Sequence, residues 1–237
     1  MAHFVIWKMK SSPLVGLYRN GVVMPMGSQS EVVAAAVRTL SAGGVVVLPT
    51  ETVYGVAALP SCRNAIDEVF RRKGRPPERL VAVLVADGDQ ARALVEADDR
   101  FERLATAFWP GPLTVVGHRR GDRDDDLFLG DGTTEGGGAT VGVRWPDHDL
   151  VRAIAVEVGP IATTSANRTG QPTPDTAAGA AAALGGGLLV LDGGPCTGEP
   201  STVVDLTAHP ARVVRRGAIT EGDLKRAGVS VEAVERR

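Results

Sequence analysis

Apolar residues recur at spacings of three and four through Val33, Ala36, Val37 and Leu40, which predicts a helix capped by Ser30 and closed by Gly43 and Gly44. An apolar run, Val45 to Leu48, follows as a strand and empties into "PTETVYG", 49–55. Ser61 opens a second helical pattern with Ala65, Ile66, Val69 and Phe70 on one face. Gly74 and the prolines at 76 and 77 cannot continue it, so the basic turn "RRKGRPP" ends that helix. "LVAVLVA", 80–86, is continuously apolar, as a central strand is.

Helices are expected around 88–97 and 99–108, a strand near Leu113, another over "TVGVRW", and a helix over 148–158. "PIATTSAN" reads as a strand ending in polar residues, and the alanine-rich 175–184 as a helix. "LLVLD", "STVVDL" and "RVVRRG" are strands, and Thr220 caps a last short helix. Three strands joined by loops within 188–216 favour antiparallel pairing there. The polar, glycine-rich stretch 118–138 is expected to be a mobile surface loop. Helices and strands alternate without repeat or linker. The predicted fold is a single α/β domain over 28–228, built on a mixed parallel and antiparallel sheet with flanking helices. Residues 1–27 stand apart as an aperiodic arm, or a short edge strand, and 229–237 as a tail.

Charge and composition narrow the function. Among 237 residues the net charge is −2, which provides no general attraction to nucleic acid or to an anionic membrane. Aromatics at 4% are sparse, which weighs against a surface that stacks several bases. The two cysteines, Cys62 and Cys196, form no framework, and the histidines at 3, 118, 148 and 209 form no zinc motif. Any metal is expected to arrive with a ligand. With no signal-like segment or membrane-length apolar run, a soluble cytoplasmic protein is expected.

Polar clusters fall at strand ends: Thr50-Glu51-Thr52, Thr163-Thr164-Ser165 with Asn167, and Ser201-Thr202. Thr140 and Arg144 share one face of a strand. Taken singly, such residues are also ordinary β-formers and turn caps. Together they suit an anionic, hydrogen-bonding small molecule. In "KGRP", 73–76, a point charge and a planar fork flank a glycine that lets backbone approach closely. The same turn is also what a solvated helix end with dipole-matching cations looks like. Neither a P-loop nor a dinucleotide-binding glycine pattern occurs.

Seven motifs in order, "PTETVYG", "KGRP", "WPGPLT", "TVGVRWPDH", "PIATTSANRTGQPTP", "STVVDL" and "VVRRGAIT", resemble the threonylcarbamoyl-AMP synthase family and its YrdC-like catalytic domain, from about Gly43 to Thr220. The resemblance implies a nucleotidyltransferase that forms threonylcarbamoyl-AMP and pyrophosphate from L-threonine, bicarbonate and ATP. It also implies Mg²⁺ carried in with the ATP. The product would pass to a separate transferase that modifies a tRNA adenosine.

By the same resemblance, Thr50, Arg144, Ser165 and Ser201 would hold threonine. Lys73, Thr140, Asn167 and Arg215 would hold the nucleotide, with Lys73 and Arg75 as the catalytic cations. Where the family usually carries Asn-Pro-Leu and then a histidine, this chain has Arg79, Leu80 and Val81, with Leu84 near the histidine position. The amino-acid side of the pocket is therefore where substrate choice is open. A paralogue acting on another amino acid, or an RNA-binding module with a weak RNA contact at "RRKGR", are the alternatives.

Overall fold

A computed structural model describes residues 16–19 and 22–25 by their backbone, and 28–76, 81–120, 127–129 and 139–232 in full. Strands β1 (Gly16–Arg19) and β2 (Val22–Pro25) form a hairpin, then come helix α1 (Gln29–Ser41), β3 (Val46–Leu48) and β4 (Gly55–Ala58). Helix α2 (Arg63–Lys73), β5 (Ala82–Leu84), α3 (Gly88–Leu94), α4 (Asp99–Phe108), β6 (Leu113–His118) and β7 (Thr140–Arg144) follow. The chain continues through α5 (Asp149–Val158), β8 (Ile161–Ser165), α6 (Ala177–Leu184) and β9 (Leu189–Asp192). Strands β10 (Thr202–Asp205) and β11 (Ala211–Arg215), α7 (Glu221–Arg226) and β12 (Val231–Glu232) complete it.

All twelve described strands join one mixed sheet in the order β12-β11-β10-β6-β7-β5-β8-β4-β3-β9-β1-β2. Strand periodicity divides the core. Val45, Val47, Val56, Val83 and Val85 face the layer that contains α2, α3, α4 and α6. Their alternates Val46, Leu48, Ala57 and Leu84 face α1 and α5, which contribute Val32, Ala36, Leu40, Val151 and Ile154. Burying the four larger of these, Val32, Leu40, Val151 and Ile154, contributes on the order of 10 kcal/mol, at about 1.5–3 kcal/mol each. Among the described residues, helices α1 and α5 cover only part of their face, and the sheet beyond them floors a cavity.

Several local expectations change. Ser28, not Ser30, caps α1, because Ser28 and Glu31 form a reciprocal capping box. Cys62, not Ser61, precedes α2, and no side chain caps that helix. "PTETVYG" does not leave the sheet: it is the turn of a hairpin in which β4 returns antiparallel to β3, Val46 opposite Ala57. The C-terminal strands do not form one antiparallel group. β9 runs parallel to β3, while β10 runs parallel to β6 and pairs antiparallel with β11 alone.

Of the N-terminal arm, the described hairpin extends the sheet through antiparallel pairing of β1 with β9. At the other end, Val229 is buried and β12 pairs with β11, so the described start of the tail belongs to the packed structure. Most of the 118–138 loop lies outside the described residues, but its centre is not a surface segment. Leu129 is 1% exposed, its carbonyl accepts the Val81 N–H at 2.9 Å, and Phe128 N–H donates to Pro60 O at 2.8 Å. The triplet Leu127-Phe128-Leu129 supplies apolar surface that the polar flanks conceal in a composition average. Among the described residues, no helix is long and apolar enough to cross a membrane.

Candidate functional site

The uncovered sheet face forms the floor of a cavity of about 620 Å³. Alternation selects its residues: Ala82 and Leu84 on β5, Thr114 and Val116 on β6, Gly142 and Arg144 on β7, Thr163 and Ser165 on β8. Register sets them side by side, with Ala82 beside both Gly142 and Thr163, and Gly142 opposite Val116. The small side chains at 82 and 142 leave the depth that a ligand needs. Gly55 serves closeness instead: a Cβ there would stand 2.8 Å from Thr163 Oγ1, so only glycine lets β4 lie against β8 in this way.

The β3–β4 turn is built by hydroxyls. Thr50 Oγ1 donates to Val53 O at 2.7 Å and accepts from the N–H groups of Thr52 and Val53. It also lies 2.9 Å from Thr52 Oγ1, which accepts from Arg144 Nη2 at 3.0 Å. This hydroxyl knot replaces a glycine-type turn and holds the segment rigid at the cavity edge. Tyr54, fully buried, donates to Gly194 O at 2.7 Å and ties the hairpin to the chain after β9. Its phenol is pushed above the ordinary tyrosine range, chiefly by burial.

Six of the expected site residues meet at this cavity: Thr50, Arg75, Arg144, Ser165, Ser201 and Arg215. Arg144 is 6% exposed; its Nε donates to Gly111 O at 3.2 Å, and its Nη2 lies 2.7 Å from Glu51 Oε1. Opposite, Arg215 donates from Nε and Nη2 to Ser201 O at 3.1 and 2.8 Å. Its Nη2 also reaches Ser201 Oγ at 2.8 Å, and that hydroxyl meets Thr114 Oγ1 at 2.9 Å. Burial, then the charge of Arg144, hold Arg215 below the ordinary arginine range. Among the described residues the lining carries three guanidiniums and no carboxylate. That charge is complementary to an anion.

Three expected residues do not line it. Lys73 is 2% exposed and faces the "SAN" turn, where its ammonium donates to Ser165 O and, at 2.6 Å, to Asn167 O. Burial and then neighbouring Arg75 bring its pKa down to about 8. Gly74, at φ 57°, caps α2 in the left-handed region and redirects the chain so that Arg75 reaches the cavity instead. Asn167 donates from Nδ2 to Gln171 O at 2.5 Å and accepts from Ser165 Oγ at 2.5 Å, so it braces the loop that follows β8. Thr140 lies at the far end of β7, opposite His118, 2% exposed and outside the lining.

Sequence reasoning did not single out Thr114 and Gly142. A glycine inside an otherwise strand-like run was the available signal for Gly142. Thr114 closes the quoted "WPGPLT" motif, but its place beside Ser201 comes from β6 lying parallel to β10, with Leu113 beside Thr202. Arg79 and Leu80 lie outside the described residues, whereas Val81 and Leu84 both line the cavity.

The Sua5–YciO–YrdC family model, described as "Telomere recombination", matches residues 38–217. A Pyrococcus abyssi protein named threonylcarbamoyl-AMP synthase is 36% identical over 181 residues, covering 75% of this chain and 51% of that protein. The chain thus spans about half the length of that relative. A Chromohalobacter salexigens protein of the same name is 33% identical over 184 residues, 76% of this chain and 96% of that one. The crystal structure of Pyrococcus abyssi Sua5 complexed with L-threonine superposes with a TM-score of 0.75 at 30% identity, covering 86% of this chain and 60% of that one. The matched span begins in α1 and runs to the end of the "VVRRG" segment, and so contains the whole cavity; the chain belongs to the Sua5–YciO–YrdC family.

Proposed function

We propose that this protein is a threonylcarbamoyl-AMP synthase, joining L-threonine, bicarbonate and ATP with release of pyrophosphate. The observation that supports it most is the composition of one cavity wall: Arg75, Arg144 and Arg215 among Thr, Ser and small floor residues, without a carboxylate among the described residues. Relatives over most of the chain bear that name, and the superposed Pyrococcus structure is a complex with L-threonine.

In this reading, the threonine nitrogen bonds to the bicarbonate carbon and water leaves, giving a carbamate. A carbamate oxygen then bonds to the α-phosphorus while the bond from that phosphorus to the β-phosphate bridging oxygen breaks. No protein atom becomes covalently attached, so rate comes from alignment and from neutralising the phosphates. Arg144 holds the amino-acid carboxylate, and Arg75 and Arg215 stand along the phosphates. Ser165, Ser201 and Thr52 contribute hydroxyls. Lys73 and Asn167 act from behind, fixing the "SAN" turn. Mg²⁺ enters as part of the ATP complex, its charge shared among the phosphates. The product is handed to a separate tRNA transferase, and the enzyme works in the cytoplasm.

Pyrophosphate release from ATP, with L-threonine and bicarbonate each left out in turn, tests this. Release that requires both supports the synthase. Release with another amino acid would make it a paralogue, and no release together with tight RNA binding would make it a binding module.

A further inference from the structure

The carboxylate of Glu51 reaches Arg144 at 2.7 Å without lining the cavity. A guanidinium can grip a carboxylate with two parallel hydrogen bonds along either of two edges, Nε with Nη2 or Nη1 with Nη2. Both edges include Nη2. Here Nη2 already carries the bond to Thr52 Oγ1 and the ion pair with Glu51. Thr52 is 2% exposed and locked in the hydroxyl knot with Thr50, so Glu51 is the partner able to yield.

Glu51 has somewhere to go. Only three buried side-chain nitrogen or oxygen atoms among the described residues lack a hydrogen-bond partner, and two of them are Glu51 Oε2 and His148 Nδ1. Leaving such atoms unpaired costs about as much as a lost hydrogen bond, so each calls for an explanation. The two groups are neighbours in the fold. Asp147 N–H donates to Glu51 Oε1 at 3.1 Å, and a Cβ on Gly193 would meet both Pro49 and the His148 ring. After burial itself, the strongest influence on His148 is the charge of Glu51.

We propose that Glu51 is a carboxylate gate on the amino-acid site: it pairs with Arg144 as the structure shows and turns onto His148 when the substrate carboxylate takes its place. The backbone N–H of Asp147 is the pivot, retained in both positions. A ligand must displace an internal anion before Arg144 can grip it, so the gate disfavours weakly held anions. This rests on the amino-acid site assigned above.

Glu51→Gln keeps the acceptor for Asp147 but removes the competing charge. L-Threonine binding, measured by titration calorimetry, should tighten by at least about tenfold, as when a closed state populated about nine to one is relieved. His148→Phe removes the second position and should weaken threonine binding in the wild-type background, with no effect in Glu51→Gln. Labelling of Arg144 by phenylglyoxal, read by peptide mass spectrometry without any ligand, should be faster in Glu51→Gln. Threonine binding that is unchanged or weaker in Glu51→Gln overturns the gate while leaving the synthase assignment intact. If neither protein binds threonine, faster Arg144 labelling upholds the gate and the substrate assignment falls; unchanged labelling then overturns both.

Discussion

Gly142 offers a test in which stability and function move in opposite directions. It lies mid-strand on β7, with Val116 opposite and Ala82 beside it, on the cavity floor. An added Cβ would find Thr114 Cγ2 and Val116 Cγ2 at 3.5 Å each, ordinary contacts that need no rearrangement. Gly142→Ala should therefore stabilise the fold by about 0.5–1 kcal/mol, because glycine loses the most backbone freedom on folding. For a chain of this size that corresponds to a rise in Tm of about 1–4 °C. The same methyl raises the floor by about one C–C bond, ~1.5 Å. Displacing a bound substrate by ~1 Å can cost on the order of 100-fold, so kcat/KM for pyrophosphate release should fall between about tenfold and 100-fold. Gly142→Val should push both effects further, since a β-branched residue suits the strand and fills more of the cavity. Calorimetric Tm and steady-state kinetics on the same preparations decide it. A variant as active as wild type would show that the ligand does not use the floor over β7, and a drop in Tm would refute the packing argument.

Arg75→Ala should raise the KM for ATP by about tenfold or more, the loss of one charge-assisted contact; an unchanged KM would take Arg75 out of the nucleotide site. L-Threonine should drive pyrophosphate release far better than valine, with serine between them, because a site that hydrogen-bonds a hydroxyl rejects a ligand lacking one; equal rates for valine and threonine would contradict this. Leu129→Ala should cost about 2–5 kcal/mol in urea denaturation, and a loss below about 0.5 kcal/mol would contradict the burial of Leu129. Burial lowers Lys73 from 10.5 to about 8. Between those pH values the folded protein has released a proton that the unfolded chain still holds, so this group's contribution to stability rises with pH. Denaturation curves across that window should show the rise in wild type and lack it in Lys73→Met.

Much of the fold was legible in the chain because the relevant forces are local. Spacings of three and four placed α1 and α2 near their observed bounds, and the α-helix at 221–226 begins at the Thr220 cap that the sequence announces. The motif order was enough to name the family. Pairing was not legible: the β3–β4 hairpin, and the separation of β9 from β10, depend on which strands meet across the sheet.

The site divides along the same line. That Arg75, Arg144 and Arg215 belong together could be inferred from their motifs. Which side of a basic turn faces the cavity could not, since one left-handed glycine sends Arg75 to the cavity while Lys73 stays behind it among backbone carbonyls. Leu127 to Leu129 reads as part of a polar loop until a pocket in the core accepts it. Sequence alone determined which residue types were present and their local periodicity; only the tertiary structure decided which polar groups face a ligand and which satisfy one another, because a buried hydrogen bond depends on partners far apart in the chain.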